Sequence, residues 1–244
     1  MRSEIDMSRV FRGDSISLSR ALSHVVRQSD EGGRVVEAAR EHERRARRVV
    51  VTGPPGVGKS TLLRSIFATL RARGERVAVV ALDPSSLRTG GAFLGDRVRW
   101  SDFAEDEGVF IRSVAQRGDH AVTQDIVDGM ADVFDAAGWP WIVLETVGAG
   151  QNPEPGLRGA TTVLVLSPLC GDEMQMLKAG VIESADVYAV NRVDLPGGER
   201  WAASLEETLA LGRVEPPVVL RVAAATGAGV ERLVEEIEKT GDER

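Results

Sequence analysis

The residues with the clearest chemical meaning are Gly53, Gly56, Gly58, Lys59, Ser60 and Thr61, set in the run Gly53-Pro-Pro-Gly-Val-Gly-Lys59-Ser60-Thr61. Their spacing fits G-x-x-x-x-G-K-[ST]. Glycines let backbone N–H groups wrap an anion without side-chain clash, and a helix N-terminus behind them aims its dipole at the same charge. In such a loop Val57 belongs to the backbone cradle with the glycines and Thr61. Lys59 reaches the β and γ phosphates of a nucleotide, and Ser60 ligates Mg²⁺. A glycine-rich turn that happens to precede a helix is the bland alternative, disfavoured by the apolar strand before the run and the helical stretch after it.

Two acids end apolar runs: Asp83 in Val-Val-Ala-Leu-Asp83-Pro-Ser-Ser and Glu145 in Trp-Ile-Val-Leu-Glu145-Thr-Val-Gly148. In doubly wound sheets the ligand sits at the carboxyl ends of the strands, so both carboxylates are expected to face the metal. Either alone reads equally well as a helix cap or turn acid. Gly148 would let a backbone N–H approach the γ-phosphate. Asn191-Arg192-Val193-Asp194 follows another apolar run, where a base-reading loop is expected. Asn191 can meet the purine edge, and Asp194 can accept two hydrogen bonds from the guanine imino and amino groups, which adenine cannot supply. Alone, this tetrapeptide also reads as a simple turn. Ala225-Thr226-Gly227 can touch the base through backbone N–H groups, or can serve only to reverse the chain.

These loops must be held by a scaffold. Short β-branched runs at 49–52, 77–82, 109–112, 141–145, 162–166, 187–191 and 218–222 are nearly continuously apolar, as strands covered on both faces are. Helical stretches alternate with them at 59–73, 121–137, 172–183, 201–211 and 230–239. The expectation is an α/β fold of the P-loop NTPase kind: a doubly wound, mostly parallel sheet flanked by helices, spanning residues 49–244. Residues 1–48 form a short N-terminal helical extension. There Asp14 N-caps one amphipathic helix, and a second runs from about Glu31 to Arg47. Its last part, Glu41 to Arg48, reads as a solvated charged face. The long polar connection from Pro84 to Gly108 is a candidate switch.

Composition narrows the partners. A net charge of −7 disfavours nucleic acid and anionic membrane. The apolar runs are far shorter than the roughly 20 residues of a spanning helix, and the N-terminus lacks the apolar core of a signal peptide, so the expected compartment is the cytoplasm. One cysteine, Cys170, and three scattered histidines, His24, His42 and His120, give no thiolate or imidazole metal cage. That weighs against a nickel or zinc metallochaperone. A small-molecule kinase is disfavoured by Asn191 to Asp194.

The segments GPPGVGKSTLL, VAVVALDPSS, TGGAFLGDRVR, ETVGAGQ and GDEMQMLKAGVIESADVYAVNRVD, in that order, resemble the MeaB/ArgK/MMAA family of GTPases. The likeness continues through GDSISLSRALSHVV and covers most of the chain. Members of that family are chaperones of cobalamin-dependent acyl-CoA mutases, so the resemblance implies a Mg²⁺-dependent GTPase, with GTP as substrate and GDP as product, that gates cobalamin loading and protects the mutase. It also implies that Asp96 is a switch acid joining Ser60, Asp83 and Glu145 near the metal, and that residues 171–180 form a switch touching the mutase. Within that switch the partner-facing residues are Asp172, Gln175 and Lys178. A cobalamin adenosyltransferase is a further expected partner. Arg192 stands where the family has Lys. The family's C-terminal dimerisation extension is expected to be absent after Arg244, which leaves the oligomeric state open.

Overall fold

The computed structural model describes residues 5–43, 45–83, 100–103, 105–115, 122–146, 155–169, 185–211 and 217–242. Its strands form a seven-stranded sheet in the order β3-β2-β4-β1-β5-β6-β7. They are β1 (Arg47–Thr52), β2 (Val77–Asp83), β3 (Val109–Ala115), β4 (Trp141–Glu145), β5 (Thr161–Leu166), β6 (Val187–Asn191) and β7 (Val218–Val222). The β2–β3, β1–β5, β5–β6 and β6–β7 pairs are all parallel. The helices are α1 (Met7–Phe11), α2 (Ser15–Val26), α3 (Asp30–Arg40), α4 (Lys59–Ala72), α5 (Gln124–Ala136), α6 (Gly198–Ala210) and α7 (Val230–Asp242). The expected helix at 172–183 and switch segment at 84–108 fall wholly or largely outside the described residues.

The chain divides into two compact units. The first comprises Met1–Arg48, Glu75–Leu144 and Pro155–Arg158; the second comprises Val49–Gly74, Glu145–Glu154 and Gly159–Arg244.

In the first unit, short polar side chains start the helices. Asp14 Oδ1 accepts the Ser17 N–H at 2.9 Å, Ser29 Oγ the Gly32 N–H at 3.2 Å, and Thr123 Oγ1 the Ile126 N–H at 3.4 Å. These caps satisfy donors that the first turn cannot pair internally. The Asp14 carboxyl is held down at about 2, chiefly by its bonds to Ser17 with Arg9 assisting, so the cap is ionised at neutral pH. Helices α2, α3 and α5 then close on one another through Leu18, Leu22, Val25, Val35, Val127 and Met130, all buried. Gly32 permits the tight α2–α3 approach, because a Cβ there would lie 2.4 Å from the His24 carbonyl oxygen. Phe110 of β3 packs edge-on against Phe134 and Trp139.

The run from Glu41 to Arg48 departs from the solvated helix expected of it. Helix α3 ends at Arg40, and further along Asp135 Oδ1 accepts the Arg45 and Ala46 N–H groups at 3.1 Å each. Arg48 is buried, with Nη2 2.9 Å from Asp132 Oδ1. Asp132 also receives the Nε of the half-exposed Arg40 at 2.9 Å. Breaking a buried pair leaves an uncompensated charge, at a cost of about 3–5 kcal/mol. We therefore expect Asp132→Ala to lower the thermal unfolding midpoint strongly and Arg40→Ala only slightly, as measured by circular dichroism melts. Equal shifts would show that the Arg48 contact carries no special weight.

The second unit has its core between the sheet and helices α4, α6 and α7. The α4 residues Leu62, Leu63, Ile66, Phe67 and Leu70 are buried, as are Val230, Leu233, Val234 and Ile237 of α7. Both sets recur at helical spacing, which places an apolar stripe toward the sheet. Leu164, Leu166, Tyr188 and Val190 meet Ala202 and Leu209 of α6. Every residue of β6 is buried, so Asn191 arrives at the strand's end already withdrawn from solvent.

Candidate nucleotide site

The loop at 53–61, Glu145, Asn191, Asp194 and Ala225 belong to the second unit, and Asp83 to the first. The loop from Gly53 leads from β1 into α4, whose N-cap, Gly58, makes no side-chain capping bond. The first-turn N–H groups of α4 thus receive no side-chain cap from that position, and such groups with the helix dipole form an anion site. Two glycines are required by their surroundings. Gly53, at φ 141°, lies where a Cβ would come 2.2 Å from the Val165 carbonyl oxygen; Gly58, at φ 94°, lies where one would come 2.5 Å from Asn191 Nδ2. Lys59 is buried and folds back over the loop, donating to the carbonyls of Gly53 at 2.8 Å and Pro54 at 3.0 Å. This keeps its ammonium at the loop's centre.

Ser60 donates its hydroxyl to Glu145 Oε1 at 2.6 Å, and Glu145 is only 3% exposed. Two of the residues expected at a metal therefore meet directly. A hydroxyl and a carboxylate are hard oxygen donors of the kind Mg²⁺ takes, usually with several of its waters retained, so this pair fits that ion. Thr146, next in the chain, was not singled out by sequence. Its N–H donates to the Val51 carbonyl at 3.1 Å and its hydroxyl to Thr52 Oγ1 at 3.1 Å, fixing the chain immediately after Glu145. Asp83 ends β2, opposite Ala115 in register. Asp96, Gly148, Gln151, Cys170, Asp172, Gln175 and Lys178 lie outside the described residues.

Asn191 joins three loops. Its Nδ2 donates to the Val57 carbonyl at 2.9 Å, while Oδ1 accepts the N–H of Ala224 at 3.0 Å and that of Arg192 at 2.9 Å. One amide thus ties the phosphate loop to both segments expected to meet the base. Arg192 turns the chain in the left-handed region, at φ 62°. Asp194 is exposed and receives no hydrogen bond from any described residue, which leaves its carboxylate open to a ligand's donors. In the following loop the Thr226 and Gly227 N–H groups both donate to the Ala223 carbonyl at 3.0 Å, and Ala225, inside that turn, is exposed. Ser65 of α4 pins the loop through the Ala224 carbonyl at 2.6 Å. Sequence gave no sign of this bond, which spans 159 positions.

The histidines play packing roles where described. His24 Nδ1 lies 2.9 Å from Ser29 Oγ, and His42 stacks obliquely on Phe11. No cluster of metal-ligating side chains occurs among the described residues, and no helix among them is long and apolar enough to cross a membrane.

Residues 18–243 match the model of a family described as methylmalonyl-CoA mutase-associated GTPase MeaB. The chain belongs to the MeaB family. It is accordingly a GTPase, binding GTP and releasing GDP, as its relatives' names agree. A GTPase of Pyrococcus horikoshii is 36% identical over 242 residues, covering 96% of this chain and 76% of the relative. A mouse protein named methylmalonic aciduria type A homolog, mitochondrial, is 33% identical over 215 residues, covering 82% of this chain and 52% of that protein. Among solved structures, one titled LAO/AO transport system kinase superposes with a TM-score of 0.71 at 23% identity, covering 96% of this chain and 74% of that one. HypB from Helicobacter pylori superposes with a TM-score of 0.62 at 17% identity, over 86% of this chain and 93% of that one. These two likenesses show the P-loop GTPase fold of this MeaB-family chain.

Proposed function

We propose that this chain is a Mg²⁺-dependent GTPase that gates cobalamin loading of an acyl-CoA mutase and protects that mutase from inactivation. The observation that carries the reading is the family match across 18–243, whose description names a mutase-associated GTPase. The contact between Ser60 and Glu145 supports the metal-dependent part.

Ser60 and Glu145 would hold the ion, joined by Asp83 and Asp96, and the chemistry it would supply is positive charge against the negative charge that develops on phosphoryl transfer. Lys59 and the α4 N-terminus bind and orient the phosphates. Gly148 offers a backbone N–H near the γ-phosphate. Asn191 holds the base loops in place, Arg192 lies along the base, and Asp194 accepts from the guanine edge with Ala225 and Thr226 beside it. Asp172, Gln175 and Lys178 report the nucleotide state to the mutase. A switch of this kind requires the partner to bind the two states with different affinity. The proposed setting is the cytoplasm, with a cobalamin adenosyltransferase as a second partner.

The test is GTP turnover with and without a cobalamin-dependent acyl-CoA mutase. Turnover should rise when the mutase is added, and Lys178→Ala should lose most of that rise while keeping its intrinsic rate. A mutase that leaves wild-type turnover unchanged removes the proposal.

A further inference from the structure

A serine or threonine inside a helix can turn its hydroxyl back onto the carbonyl four residues before it, and this chain does so twice. Ser23 donates to the Ser19 carbonyl at 2.8 Å, and Thr208 to the Ser204 carbonyl at 2.8 Å. Ser65, on the second turn of α4, sends its proton across to the Ala224 carbonyl instead, at 2.6 Å. A carbonyl can only accept, so the direction of this bond is fixed.

Ala224 is held on both sides. Asn191 Oδ1 takes its N–H at 3.0 Å, and the residue is 4% exposed, so Ser65 meets a buried stretch of backbone. Beyond it the chain rises to the surface, with residues 225–229 exposed. This excursion is closed on itself: the Ala223 N–H donates to the Ala228 carbonyl at 2.9 Å, and the Thr226 and Gly227 N–H groups to the Ala223 carbonyl at 3.0 Å. The Thr226 hydroxyl adds a bond to the same carbonyl at 3.2 Å. The turn is internally braced, and the Ser65 bond ties its root to the helix that carries the phosphate loop.

The Ala224 carbonyl and the Ala225 N–H belong to one peptide plane. No peptide bond among the described residues is cis, and in a planar trans peptide these two groups point in opposite directions. Holding the carbonyl toward α4 therefore aims the Ala225 N–H away from that helix, while the N–H groups of Thr226 and Gly227 are committed inside the turn. We infer that Ser65 is a positioning residue for guanine recognition, fixing the peptide plane whose N–H meets the base. Guanine presents a carbonyl acceptor where adenine presents an amino donor, so an N–H aimed there favours guanine alone. The inference rests on the reading above that Ala225 lies beside the base.

The experiment is calorimetric titration of the full chain with GDP and with ADP, Mg²⁺ being present throughout, for wild type, Ser65→Ala and Ser65→Thr. Alanine is the better helix former, so Ser65→Ala does not weaken α4 itself. It should lower GDP affinity roughly tenfold, the effect of leaving a buried carbonyl without its donor, while ADP affinity changes little. The preference for GDP then shrinks by the same factor. Ser65→Thr keeps the hydroxyl and should keep the preference. Unchanged GDP affinity in Ser65→Ala overturns the inference, as does equal weakening of GDP and ADP, which a merely structural role would give. A Ser65→Thr variant as impaired as Ser65→Ala overturns it too. In each of these cases a wild-type preference for GDP keeps the guanine reading. Equal wild-type affinity for GDP and ADP removes that reading, and this inference with it.

Discussion

Glu145→Gln should lower GTP turnover by about a hundredfold or more while changing GDP affinity only a few-fold. The amide is nearly isosteric and can still accept the Ser60 hydroxyl bond seen at 2.6 Å, so what it removes is the charge. Phosphoryl transfer draws its acceleration mainly from positioning and from stabilisation of developing negative charge. Losing a metal-organising carboxylate therefore penalises the transition state more than the bound product. The substitution is not expected to unfold the unit, because a neutral amide is cheaper to bury than an ionised carboxylate. Phosphate release under saturating GTP gives the rate, and titration with fluorescent GDP gives the affinity. Wild-type turnover in this variant would remove Glu145 from the metal site.

Gly58→Ala should weaken both GTP and GDP by about a hundredfold or more, because it strikes the point where the phosphate loop meets the base loops. The added methyl would stand 2.5 Å from Asn191 Nδ2, on a backbone at φ 94°. A clash with a side-chain terminus is cheap when that side chain can swing away. Here it cannot, since Asn191 is 2% exposed and bonded to Val57, Arg192 and Ala224. Moving it strands buried donors and acceptors at about 1–3 kcal/mol each. Asn191→Ala should be damaging for the same reason. The double variant should then be less harmful than the two single effects summed, since removing the amide opens space for the methyl. Strict additivity in nucleotide affinity would show that the two residues act independently.

Much of this was legible in the sequence, for identifiable reasons. Strands such as Trp141–Glu145 and Val187–Asn191 are covered on both faces and so appear as unbroken apolar runs with sharp ends. The phosphate loop announces itself because its glycines are demanded by backbone geometry at fixed spacing. The Asp14 cap could be read because capping is local. The end of α3 could not: the run after Arg40 looks helical, but the Arg45 and Ala46 N–H groups go to Asp135, some 90 positions away, where no local pattern could reveal them. The structural role of Asn191 was hidden likewise. Its type and position suggested a purine contact, whereas its bonds to Val57 and Ala224 depend on three loops meeting in space. Thr146 and Ser65 left no signal, since a hydroxyl on a strand end or helix face is ordinary until its partner is known.

The central claim is that the chain holds a nucleotide site that reads guanine through Asp194. It is tested most directly by competition among GTP, ATP and xanthosine triphosphate for the wild type and Asp194→Asn. The wild type should prefer GTP over ATP by roughly 5- to 150-fold, the range set by leaving a carboxylate without its donors. Asp194→Asn should lose GTP affinity and gain xanthosine triphosphate, whose additional carbonyl accepts from the new amide. Equal wild-type affinity for ATP and GTP, or an unchanged preference in the variant, would contradict the account.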